Sequence, residues 1–263
     1  MSIILLSIAV LGGIGLLIGV FLGFFAMKFE VPVDEKELQV LDALPGNNCG
    51  ACGYPGCSGL ATAIAKGNAP CDACPVGGAT VAKAVATIMG EQVNDVIKKV
   101  AYVRCAGDCD KTKTDYTYTG IKTCVAMSFV PNGGPKSCNY GCLGYGDCVN
   151  VCDFDAIHIV NGIAIIDKDK CTSCGKCVKA CPKQLIELIP YEAEYVVACR
   201  SKDKGVDTTK GCEVGCISCT LCKKACESDA ITIENFLAYI DQDKCIQCGK
   251  CYDVCPKNTI QKS

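Results

Sequence analysis

Cys245, Cys248, Cys251 and Cys255, followed by Pro256, stand at the spacing C-x2-C-x2-C-x3-C-P, and Cys171, Cys174, Cys177 and Cys181 with Pro182 repeat it. Thiolates are soft, charged donors, and this short spacing lets one loop cover three corners of a four-iron cube. The fourth cysteine of each run then ligates the other cube of a pair. Such sites move electrons one at a time. Four-cysteine zinc sites use separated CxxC pairs, so two unbroken runs in register argue for iron.

Crossed ligation distributes the sulfurs. In the later repeat one cube takes Cys216, Cys219, Cys222 and Cys255, and its partner takes Cys226, Cys245, Cys248 and Cys251. In the earlier repeat one cube takes Cys152, Cys171, Cys174 and Cys177. The remaining site is irregular, because Tyr145 stands where the later repeat has Cys219. Cys138 is the nearest substitute, giving Cys138, Cys142, Cys148 and Cys181; Cys124 is the next candidate, and a three-iron cluster on three cysteines is the alternative. Upstream, Cys49, Cys52, Cys57 and Cys74 form C-x2-C-x4-C-x16-C, with Cys74 preferred over Cys71 because Pro75 follows it. Five [4Fe-4S] clusters result. Cys105, Cys109 and Cys124 are conceivable as a sixth site; otherwise they join Cys71, Cys199 and Cys212 as structural thiols. Cys124 and Cys199 stand within one residue of repeat equivalence.

The chain has 263 residues and 26 cysteines. Disulfide scaffolds reach that density only in small secreted proteins, and here the thiols cluster in CxxCxxC triplets without a cleavable signal. Reduced thiolates on the cytoplasmic side of a membrane are the better reading. The one histidine, His158, lies between Ile157 and Ile159 as an ordinary strand residue, so metal chemistry falls to sulfur. A formal charge of −2 gives no basic surface for nucleic acid. No nucleophile–base constellation, P-loop or HExxH is present, so no catalytic residue is expected. Gly13, Gly15 and Gly19 have the wrong spacing for a dinucleotide site, and Gly78-Ala79-Thr80 lacks the second hydroxyl of a covalent flavin site. Neither flavin nor NAD is expected on this chain.

The elements that must hold these thiols read as an α+β protein. Ser2 to Met27 carries no charge and is long enough for one uncleaved transmembrane helix. Lys28 follows it and no Lys or Arg precedes it, which places the remainder in the cytoplasm. Gly15, Gly19 and Gly23 share a helix face suited to packing against another membrane helix. Asp34–Leu44, Ala61–Lys66 and Ala79–Met89 read as short helices of a small 4Fe-4S domain. Beyond it the sequence repeats, 171 recurring at 245 and 177 at 251, a period of 74. Asn161-Gly162 between alternating isoleucines signals a hairpin. Each repeat therefore reads as a ferredoxin-like double-cluster unit. The expected division is 1–28 anchor, 30–100 cluster domain, 101–190 first unit with an upstream cysteine-bearing segment, and 191–263 second unit.

One membrane helix, then C-x2-C-x4-C-x16-C, then ferredoxin repeats closely resembles the B subunits of Rnf complexes, in the longer form with an extra ferredoxin unit. The resemblance covers essentially the whole chain. It implies an iron–sulfur subunit of an ion-translocating ferredoxin:NAD+ oxidoreductase in the cell membrane. Reduced ferredoxin is the implied electron donor, and other Rnf subunits are the implied partners that carry flavin and NAD. It also matches Cys49, Cys52, Cys57 and Cys74 to the family's first cluster. The runner-up is an anchored polyferredoxin of a hydrogenase, formate or quinone-linked complex.

Overall fold

The computed structural model describes residues 2–28, 34–92 and 97–263, with side chains on the first helix from 10 to 25. The boundary expected between anchor and cluster domain, and the Lys28 side chain used to orient the span, lie outside the described residues. Helix α1 (Ser2–Lys28) is continuous. Its Leu11, Leu16, Leu17 and Phe21 are exposed. Counting only residues described with their side chains, which on α1 are 10–25, no helix is long and apolar enough to cross a membrane.

Three helices form the next layer: α2 (Glu35–Ala43), α3 (Gly56–Ala65) and α4 (Gly78–Met89). Asp34 caps α2 by accepting the Lys36 amide at 3.0 Å, and Leu44, ahead of Pro45, ends it. Helix α3 begins at Gly56, earlier than its apolar pattern suggests, because Pro55 sets the entry. Val40, Leu60, Ile64 and Val85 are fully buried between the three, each contributing about 1.5–3 kcal/mol.

The first unit runs β1 (Lys99–Val103), α5 (Asp147–Asn150), β2 (Ile157–Val160), β3 (Ile163–Ile166), α6 (Lys176–Ala180) and β4 (Ile186–Pro190). The second runs β5 (Tyr195–Val197), α7 (Gly205–Gly211), α8 (Leu221–Ala225), β6 (Ile231–Glu234), β7 (Leu237–Ile240), α9 (Lys250–Asp253) and β8 (Ile260–Lys262). In each unit the first and last strands pair antiparallel, and the middle two form a hairpin. Asn161 and Gly162 turn the first hairpin with φ 47° and 75°, the left-handed pair that a two-residue turn requires. Inside, Ile157, Ile163 and Ala164 pack with Cys142, Cys148 and Cys177, and Ile231, Ala238 and Ile240 pack with Cys216, Cys222 and Cys251. The thiols are thus core residues in their own right.

The two units abut. Val100 and Ile189 of the first pack with Val196 of the second. The Ala106 amide donates to the Ala198 carbonyl at 3.0 Å, and Arg104 Nε donates to the Val197 carbonyl at 3.2 Å. Between β1 and its cysteine run the first unit carries a longer connection, and part of it lies on the second unit. The Lys113 amide donates to Gly211 O at 3.0 Å, and the Glu213 amide donates to Lys111 O at 2.8 Å. This insertion corrects one equivalence. Cys105, two residues past β1, is the counterpart of Cys199, two past β5; Cys124 belongs to the insertion.

Candidate metal centres

The cysteine loops are wound by pairs of left-handed residues. Ser173 and Gly175 have φ 61° and 71°, Ser218 and Thr220 51° and 66°, and Gln247 and Gly249 55° and 75°. A one-turn helix follows each pair and turns the third cysteine inward. The irregular loop keeps this winding, with Gly144 at 73° and Gly146 at 85°. Between them stands Tyr145, in place of Cys219.

Three small cavities of like size are each walled by four cysteines. One holds Cys216, Cys219, Cys222 and Cys255. One holds Cys152, Cys171, Cys174 and Cys177. One holds Cys124, Cys142, Cys148 and Cys181. In each, the outlying cysteine comes from the other run of its unit, or in the last case from the run and the insertion together. Cys226, Cys245 and Cys251 share the second unit's core, and Cys248 is exposed. In the helical domain, burial raises the Cys74 thiol, and the nearby Cys52 and Cys57 add to the rise. The Cys57 amide is latched by Asn48 Oδ1 at 2.8 Å.

The fold does not gather the expected set at the irregular site. Cys138 is absent from that cavity, and Cys124 takes its place beside Cys142, Cys148 and Cys181. The amides of Asp147 and Tyr145 donate to the Cys124 thiol, so it stands at the corner that Tyr145 leaves vacant. Nor are Cys105, Cys109 and Cys124 brought together: Cys105 faces a different cavity, and Cys109 is exposed. Cys71 turns to Glu91 Oε2 at 3.2 Å. His158 lies on β2, half exposed, 4.0 Å from Asp155.

Donor chemistry fits iron–sulfur cubes. Backbone amides point at sulfur: Leu185 at Cys181 (3.4 Å), Thr259 at Cys255 (3.3 Å), Ala230 at Cys226 (3.3 Å) and Ala101 at Cys171 (3.4 Å). Hydrogen bonds of this kind offset charge on ligating sulfur and tune potential. Burial, then the nearby Cys142, Cys124 and Cys181, pushes Cys148 up to about 12. Burial, then Cys174, Cys171 and Cys152, does the same to Cys177, also to about 12. At Cys226 burial works upward, but the Ser228 hydroxyl and the amides of Ala230, Ser228 and Ile231 outweigh it and hold the thiol below its ordinary range. Among the described residues no three His, Cys, Asp or Glu side chains could hold a single metal ion; a cube, with its thiolates at separate corners, does not need that.

Four-cysteine cavities on a hairpin-and-short-helix frame define a ferredoxin-like iron–sulfur protein. Sequence comparison agrees. Residues 44–76 match the family described as "Putative Fe-S cluster", and residues 164–187 and 238–261 match the 4Fe-4S binding domain. The chain is 49% identical over 261 residues to the B subunit of the Na(+)-translocating ferredoxin:NAD(+) oxidoreductase complex of Acetobacterium woodii, covering 99% of this chain and 78% of that protein. It is 41% identical over 262 residues to the B subunit of the ion-translocating oxidoreductase complex of Methanosarcina acetivorans, covering 99% and 98%. It is 42% identical over 265 residues to the B subunit of the proton-translocating ferredoxin:NAD(+) oxidoreductase complex of Clostridium ljungdahlii, covering 99% and 93%. The chain belongs to the family of B subunits of ion-translocating oxidoreductase (Rnf) complexes.

Proposed function

We propose that this chain is the electron-transfer subunit of a membrane-bound, ion-translocating ferredoxin:NAD+ oxidoreductase. It takes electrons from reduced ferredoxin and relays them to partner subunits. The observation that carries this reading is the set of three like cavities, each walled by four cysteines with amides aimed at their sulfurs. Five ligand sets follow: Cys49, Cys52, Cys57, Cys74; Cys124, Cys142, Cys148, Cys181; Cys152, Cys171, Cys174, Cys177; Cys216, Cys219, Cys222, Cys255; and Cys226, Cys245, Cys248, Cys251. Bound cubes supply one-electron oxidation and reduction.

The protein's own residues do the rest. Buried Cys142, Cys148, Cys177, Cys216, Cys222 and Cys251 keep water from the inner corners. Cys219 and Cys248 are exposed, so the second unit offers a carrier protein the shortest approach. Burial raises the Cys174 thiol, and Cys152 and then Cys49 add to the rise, so the helical domain's set lies within electrostatic reach of the first unit.

Helix α1 serves as a single-pass anchor in the cell membrane, with the thiol domains on the cytoplasmic side. Its 27 residues at about 1.5 Å each exceed the roughly 30 Å hydrocarbon layer. A side chain at Gly15, Gly19 or Gly23 would meet nothing within 4 Å, leaving that face open to a helix of another subunit.

Anaerobic purification of the full chain tests the reading. At four irons per cube, the five sets predict at least about 20 irons and as many acid-labile sulfides per chain, with paramagnetic signals on adding reduced ferredoxin. A colourless chain carrying zinc and no sulfide would overturn it.

A further inference from the structure

A fourth cavity matches the three described above in size, and it too is walled by four cysteines: Cys105, Cys138, Cys199 and Cys212. None of them belongs to a ferredoxin run. We infer that these four thiolates hold a further [4Fe-4S] cluster, shared between the two ferredoxin-like units. The inference rests on reading the other four-cysteine cavities as cube sites.

The arrangement has a twofold logic. Each unit contributes one thiol two residues past its first strand, Cys105 or Cys199, and one just ahead of its cysteine run, Cys138 or Cys212. Cys138 and Cys212 are 74 positions apart, the period of the repeat. The first pair also has matching partners: the Cys142 amide donates to Cys105 Sγ at 3.3 Å and the Cys216 amide to Cys199 Sγ at 3.4 Å. Gly141 and Gly215, again repeat equivalents, bring backbone against the second pair. A Cβ on Gly141 would stand 3.6 Å from Cys138 Sγ, and one on Gly215 would stand 3.8 Å from Cys212 Sγ. The two halves meet at Gly107, where a Cβ would come within 3.2 Å of Cys212 Sγ and 3.8 Å of Cys105 Sγ. Cys138 in turn lies within electrostatic reach of both Cys199 and Cys212.

The surroundings are those of a ligating site. Further donors reach the sulfurs: the Ser201 amide to Cys199 at 3.5 Å and the Thr112 hydroxyl to Cys212 at 3.8 Å. Arg104, only 3% exposed, lines the cavity together with Arg200. A cube on four thiolates is net anionic, and a buried cation beside it offsets that charge. Both guanidiniums also pair with Glu187. None of the four forms a disulfide.

Position gives the site its use. One side touches the loop of the Cys124, Cys142, Cys148 and Cys181 set through the Cys142 amide. The other touches the Cys216, Cys219, Cys222 and Cys255 set through the Cys216 amide. A cube here accepts one electron from a reduced cube in one unit and gives one electron to an oxidised cube in the other. It returns to its starting state and connects two otherwise separate pairs.

The test is iron, sulfide and spin quantitation on the anaerobically purified full chain and its serine variants. The inference predicts about 24 irons and 24 sulfides in the unmodified chain, at four per cube. Cys199→Ser and Cys212→Ser should each lower both counts by about four. The double variant Cys105→Ser/Cys212→Ser should lose about four as well, not eight, because the thiols share one site. Cys109→Ser, at an exposed thiol outside every cavity named, should stay at about 24. If a variant misfolds, the unmodified chain still decides. A count of about 20 that the variants leave unchanged would overturn this inference and leave the five-set reading standing. One zinc in addition to about 20 irons would overturn it equally. Absence of iron and sulfide altogether would bring down both readings.

Discussion

Replacing Cys124 with serine removes the one corner of the irregular site that comes from the insertion. The thiol stands over the amides of Tyr145 and Asp147, in a cavity otherwise walled by Cys142, Cys148 and Cys181. Structural zinc in zinc-finger peptides, held by four protein ligands, binds with roughly 10–16 kcal/mol, which sets the scale for a site of this size. Shared over four ligands, one thiolate is worth about 2.5–4 kcal/mol, or about two to three powers of ten in cluster retention. Cys124→Ser should therefore lose up to four irons on gel filtration under argon. The winding of the loop supplies a rescue. Gly144 and Gly146 hold the left-handed pair used by the regular loops, so Tyr145→Cys places a sulfur where Cys219 stands in the second unit. The double variant Cys124→Ser/Tyr145→Cys should regain the lost irons, whereas Tyr145→Cys should do nothing for Cys138→Ser. Iron, sulfide and low-temperature spin counts on the four proteins measure this. Full iron in Cys124→Ser, or rescue of Cys138→Ser by Tyr145→Cys, would refute the assignment of Cys124 to this corner.

Other consequences follow from the same contacts. Deleting residues 1–28 should release the chain from carbonate-washed membranes with its iron per chain unchanged; a truncated chain that still sediments with membranes would dismiss α1 as the anchor. Asn48→Ala removes the acceptor of the Cys57 amide and should cost about 0.5–1.5 kcal/mol in the helical domain, read as a lowered denaturation midpoint. Arg104→Ala leaves Glu187 with Arg200 alone. A broken buried pair costs roughly 3–5 kcal/mol, but Glu187 is 28% exposed, so about 2 kcal/mol, or about 4–8 °C in melting temperature, is expected. Cluster insertion should also depend on pH. Burial raises Cys148 and Cys177 to about 12, so the empty sites hold protons at neutral pH and must release them on loading. Anaerobic reconstitution should then proceed further at pH 8.5 than at pH 6.5, and a flat or inverted profile would count against thiolate ligation.

How far the residues disclosed this protein depends on how local each signal is. A run such as Cys245 to Cys255 carries its own geometry. Its spacing, its left-handed residues at Gln247 and Gly249 and the short α9 lie within one loop, so the sequence is enough to read it. The hairpin at Asn161-Gly162 and the capped α2 are local in the same sense, and both stand where expected. Cys124 is different. It reaches its corner from an insertion whose path is set by contacts with residues 211 to 213 of the other unit, and spacing cannot register that. The usable sign was negative: a loop that keeps both glycines but replaces the central cysteine with Tyr145 needs a sulfur from elsewhere.

The same locality explains why Cys105, Cys138, Cys199 and Cys212 read as leftovers. A repeat search aligns each unit with the other but says nothing about a contact between them, and the insertion shifts Cys105 out of register with Cys199 by the length of its own excursion. Only when β1 and β5 are each closed by their own last strands do the two cysteines become equivalents, and only when the units abut through Ala106 and Ala198 do their thiols share a space. A site built half from each repeat has no motif of its own. It also requires both units to be in place before its fourth ligand arrives, so changes at the interface far from any ferredoxin run, Gly107 above all, should cost iron as surely as changes to a ligand. Gly107→Val, which drives a side chain between Cys105 and Cys212, should lower iron by about four per chain while the spin signals of the regular pairs persist. Undiminished iron in that variant would mean that the two halves do not close on a common cluster.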